Sequence, residues 1–95
     1  MCTVVNKYKS DFDVYIGRGS IWGNPFVMQN KSDEERTRVI SQYKVYLKDK
    51  IKSGEITIQM LLELDGKKLG CFCKPKPCHG DVIVQAVDWA KNKAV

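Results

Sequence analysis

The chain holds a single histidine, three prolines and no apolar run approaching the length that crosses a bilayer, which takes about 18 residues. A membrane-spanning segment is therefore not expected, and no membrane partner with it. Nor does the N-terminus show a basic region followed by an apolar stretch, the pattern of an export signal, so the expected location is cytoplasmic. Four cysteines in 95 residues would suit a disulfide-stapled secreted miniprotein. Without an export signal, and with three of the four packed into residues 71–78, free thiols or metal ligands fit better. Cys2 stands apart and is assigned no role.

What is present is enough for one small domain, 1–95. A hydrophobic share of 43% supplies one modest core and leaves no room for a second. Sixteen basic residues against eleven acidic give a net charge of +5, a field that favours anions such as phosphate or nucleic acid. The same charge is also ordinary for a solubilising surface.

Hydrophobic patterning gives the element order. Residues 3–8 and 13–16 are rich in β-branched and aromatic side chains with Lys9, Ser10 and Asp11 between them, which predicts two short strands and suggests a hairpin. Residues 17–30 lack periodicity and read as a long loop, a feature that in so small a domain is often functional. Ser32 followed by Glu35 has the form of a capping box, with Asp33 and Glu34 in the first turn. Val39, Ile40, Tyr43, Leu47 and Ile51 then form one apolar helical stripe that Ser53 and Gly54 end. Residues 56–64 favour a second, short helix. Residues 68–73 read as a buried strand with Leu69, Cys71 and Cys73 on one face, and Ile83, Val87, Ala90 and Ala94 mark a final helix. The order β-β-α-(α)-β-α predicts an α/β class, a small two-layer or three-layer-like Rossmann-type domain, the Rossmann part resting on analogy.

Two segments carry chemistry. The first, residues 17–26, reads Gly17-Arg18-Gly19-Ser20-Ile21-Trp22-Gly23-Asn24-Pro25-Phe26 and follows directly from a predicted strand. Its glycines permit close backbone approach to a ligand, Arg18 offers a planar fork to a phosphate or carboxylate, and Trp22 or Phe26 offers a stacking face to a base. It lacks the lysine of a P-loop and the spacing of a dinucleotide fingerprint. The alternative is that the glycines serve turns, Trp22 and Phe26 cap the core and Arg18 is solvated.

The second segment runs through Cys71, Cys73, Cys78, His79, Gly80 and Asp81. Three readings stand side by side. Cys71, Cys73, Cys78 and His79 could bind a metal such as zinc, although one residue between the first pair and none between the last two depart from the usual spacing. Such a site would make the chain a metal-stabilised nucleic-acid-binding or interaction module. Cys78 could instead serve as a nucleophile activated by Lys74, Lys76, His79 and a helix N-terminus, with His79 or Asp81 as acid or base in an enzyme acting on a nucleotide. Third, His79, Gly80 and Asp81 could open the last helix and face the loop across the sheet edge, forming with Gly17, Arg18, Gly19, Ser20, Trp22, Gly23 and Asn24 a pocket for a nucleotide-like, phosphorylated small molecule. Asp81 as a plain helix cap is the simplest alternative.

At these two segments the chain resembles a family of uncharacterised bacterial and bacteriophage domains of unknown function that pair a G-R-G-S-x-W-G-N-P-F loop with a late G-C-x-C-x4-C-H-G-D element. The resemblance implies that the two segments meet in one site, and it makes a bacteriophage setting plausible.

Overall fold

The computed structural model describes residues 2–9, 11–17, 19–26, 32–71 and 79–93. Among them the order is β1 (Thr3–Asn6), β2 (Val14–Tyr15), α1 (Asp33–Ser53), α2 (Ile58–Leu62), β3 (Lys68–Cys71) and α3 (His79–Lys93). The fold is mixed α/β, with a small three-stranded sheet in the order β1-β3-β2.

Both outer strands run parallel to β3, with Val4 and Val14 each registering on Leu69. The hairpin suggested for the first two strands is therefore not formed. The strand with the most buried residues takes the centre, where Leu69 is fully enclosed, and the two shorter strands flank it. Lys7 N donates to Cys71 O at 2.9 Å as the chain leaves β1, and Asp13 N donates to Lys68 O at 2.8 Å as it enters β2. The link between them must return along the whole of β3 and pass to its other side. It does so over Gly70, where an added Cβ would lie 2.6 Å from Cγ of Phe12. Glycine at this position lets the Phe12 side chain of the link approach the strand backbone closely.

Helices gather on the opposite face. Val4 and Ile16 touch the first turn of α3 at Gly80, where a Cβ would lie 2.9 Å from Ile16 Cδ1 and from Val4 Cγ2. Helix α3 packs against both α1 and α2. Its stripe of Ile83, Val87 and Ala90 is fully buried, as are Tyr43 and Leu47 of α1 and Leu61 of α2. Ala94 and Cys73, expected to extend the α3 stripe and the β3 face, lie outside the described residues. Cys2, given no role by the sequence, is buried in this core at 3% exposure, and burial pushes its thiol pKa up.

The helix ends follow their local chemistry. Ser32 caps α1 by accepting from Glu35 N at 3.2 Å. The Glu35 carboxylate also accepts from Arg38 at 2.6 and 2.7 Å. Gly54 ends α1 in the left-handed conformation at φ 85°. Thr57 caps α2 by accepting from Met60 N at 3.2 Å, which settles this stretch as a helix. Among the described residues, no helix is long and apolar enough to cross a membrane.

The contact between Phe12 and Gly70 yields a double-mutant prediction. Gly70→Ala should destabilise by about 1–3 kcal/mol through overpacking. Combining it with Phe12→Ala should recover a coupling energy of about 1 kcal/mol in urea unfolding, because the clash has lost its second partner. Strict additivity of the two changes would contradict the crossing.

Candidate functional site

All three strands of a parallel sheet end on the same edge, and here that edge carries β1 at Asn6, β2 at Tyr15 and β3 at Cys71. The loop that starts at Gly17 leaves from it, and α3 begins beside it. The carboxyl edge of an open α/β sheet is where ligands commonly sit.

A polar contact joins the two segments. His79 Nε2 lies 2.6 Å from the carbonyl oxygen of Ile16, sixty-three residues away in sequence. Because a carbonyl only accepts, the imidazole donates through Nε2–H, and the neutral form that burial favours is the tautomer with its proton there. His79 is 9% exposed. Burial pushes its pKa below the ordinary 6.5, opposed by the bond to Ile16 and by the Asp81 charge.

Tyr43 supports the same junction from α1. Its ring meets the His79 ring edge-on, with centroids 5.0 Å apart. Its hydroxyl donates to Trp22 O at 2.8 Å, which anchors the middle of the loop. The side chain is fully buried, and desolvation pushes its phenol pKa well up. Sequence reasoning saw Tyr43 only as one more apolar position of the α1 stripe. Its hydroxyl, on an otherwise aliphatic face, was the available signal, since a buried tyrosine needs a partner for it.

The loop is built largely from its own polar groups. Ser20 Oγ donates to Gly17 O at 2.7 Å, and Ser20 N donates to the same carbonyl at 3.2 Å. Gly23 N then donates to Ser20 O at 3.1 Å, so two tight turns follow each other. Gly19 is left-handed at φ 88°, with open space where a side chain would stand. Asn24 donates to Val39 O at 3.3 Å, which holds the loop to α1, and accepts from Phe26 N at 2.9 Å, which closes a turn within the loop.

These contacts decide between the two readings of the aromatic residues. Trp22 is 5% exposed and sits in the core cluster, so the stacking face proposed for it is already covered. Phe26 is half-buried and packs edge-on against Tyr46 at 6.0 Å. Trp22 closes the core under the loop, and Phe26 packs on α1.

Of the remaining sequence candidates, Arg18, Cys73 and Cys78 lie outside the described residues. Gly17 is buried against the Tyr15 ring, and Gly80 is buried against Ile16 and Val4. Asp81 is half-buried in the first turn of α3. Cys71 is 1% exposed at the end of β3. Among the described residues no group of three or more His, Cys, Asp or Glu side chains is placed to hold a metal ion. For His79, the bond from Nε2 to a backbone carbonyl occupies one ring nitrogen in holding the fold together.

The family model described as Domain of unknown function (DUF4326) matches residues 4–89. An uncharacterized 12.4 kDa protein of the nrdA-td intergenic region of Enterobacteria phage T4 is 52% identical over 88 residues, covering 93% of this chain and 79% of that protein. No solved structure matches the chain.

The buried imidazole makes a signed prediction for stability. The unfolded chain takes up a proton on its histidine near pH 6.5 and the folded chain only below that, so acidification through this window favours unfolding. The stabilisation is complete above about pH 6.5 and is lost as pH falls through the folded value. The urea midpoint should therefore drop between about pH 7.5 and pH 5.5. His79→Gln should start lower and stay flat across the same range. A midpoint that rises on acidification would contradict the assignment.

Proposed function

Because the chain belongs to the DUF4326 family, in which no activity is assigned, its function has to be argued from the site, and we propose that it binds a nucleotide or related phosphorylated small molecule at the carboxyl edge of its sheet. The observation that carries this reading is the contact of His79 Nε2 with Ile16 O, which brings the glycine-rich loop against the start of α3. The glycine-rich loop and the first turn of α3 meet there, at the place where parallel sheets commonly leave a crevice. In this respect the arrangement is Rossmann-like in its logic.

Roles follow from charge. Arg18, between Gly17 and the left-handed Gly19, supplies the cation and the planar fork for phosphate. Asp81 carries negative charge in the first turn of α3 and suits a sugar hydroxyl or a base N–H better than a phosphate. The phosphate is therefore placed on the loop side and the nucleoside on the helix side. Ser20, Trp22, Gly23 and Asn24 act by shaping the loop. His79 and Tyr43 are positioning residues that lock the loop to the helices.

Calorimetry with inorganic phosphate, AMP, ADP and deoxynucleoside monophosphates tests the reading. Saturable binding is expected for at least one nucleotide, and Arg18→Ala should weaken it by about 1.5–3 kcal/mol, the loss of a charged hydrogen bond. Binding that is unaltered in that variant would remove the role given to Arg18. Absence of binding across the panel would remove the nucleotide.

A further inference from the structure

A groove of about 350 Å³ runs between α1 and α3, away from the sheet edge. Its floor is apolar and includes Ile51, Val82 and Ala86. Trp89 stands on the α3 wall, 40% exposed. Lys44, Lys48 and Lys52 line the α1 wall at a spacing of four residues, which sets them about 6 Å apart along the helix. No acidic side chain lines the groove, and these lysines make no ion pair among the described residues.

We propose that this groove binds single-stranded nucleic acid. Three features of different kinds support it. The lysine file is an unneutralised cationic track that can follow a phosphate backbone. The exposed indole supplies a stacking face, and the apolar floor extends it. Gln85, also on the α3 wall, brings an amide that can donate to and accept from a base edge. The step of about 6 Å exceeds the rise per nucleotide of one strand in a duplex, about 3.4 Å, and fits an unstacked strand whose bases turn toward the tryptophan. The net charge of +5 steers such a polyanion toward the molecule. An acidic peptide would answer the lysines but would leave the indole face and the Gln85 amide without a matched partner.

The test uses the intact chain and a fluorescein-labelled oligothymidylate, followed by anisotropy between about 50 and 200 mM salt and by tryptophan emission. The groove predicts a slope of log K against log salt of about −2 for three phosphate contacts, falling by about 0.7 for each of Lys44→Gln, Lys48→Gln and Lys52→Gln. Trp89→Ala should weaken binding roughly 5- to 150-fold, the equivalent of one lost stacked base. Because Trp22 is buried, quenching on binding should come from Trp89 and vanish in that variant. Binding that survives the triple glutamine variant would overturn the proposal, as would absence of binding at the lowest salt. Polyglutamate that displaces the oligonucleotide and quenches Trp89 equally well would overturn it in favour of an acidic peptide.

Discussion

The arrangement depends on one hydrogen bond, from the only imidazole in the chain to the carbonyl of Ile16. A buried carbonyl at the end of a strand needs a donor, and the first residue of α3 supplies it. The requirement is mutual, since a histidine at this depth is tolerated only when neutral and hydrogen-bonded. Each partner thereby fixes the other, and the fixing joins residues sixty-three positions apart. Tyr43 extends the constraint to α1 and to Trp22, so the loop, two helices and the sheet edge form one connected unit. Close packing at Gly80 leaves no room for the helix to drift from Val4 and Ile16.

Much of this could be read from the residues. The α1 cap at Ser32 and its end at Gly54, the helical character of residues 58–62, and the buried stripe of α3 all followed from local chemistry. Local chemistry did not reveal strand order. The chain turns already at residues 6–9, inside the stretch expected as strand, with Lys9 N–H donating to Asn6 O at 3.0 Å, and then crosses the sheet instead of pairing back. What overrides the local signal is the demand of β3 for partners on both sides, a tertiary effect that periodicity in residues 3–16 cannot carry.

The loop divides in the same way. Its glycine and asparagine content announced tight turns, and the turns are there. Whether Trp22 faced a ligand or the core could not be decided from composition, because an indole serves either purpose. Burial resolves it toward the core, and the exposed indole turns out to be Trp89, which helical patterning had left unremarked on the edge of the α3 stripe. Two places of different character emerge, the sheet edge where the loop meets the start of α3 and a cation-lined apolar groove between helices. The first rests on the histidine junction, and the second rests on helix packing alone.

The central claim is that the imidazole of His79 is buried, neutral and protonated on Nε2. A long-range proton–nitrogen correlation spectrum followed through a pH titration reads all three properties directly, without interference from another histidine. The account predicts the Nε2–H tautomer at neutral pH and a titration midpoint below 6.5. An imidazole that takes up its proton at or above that value, or that carries its neutral proton on Nδ1, would contradict it.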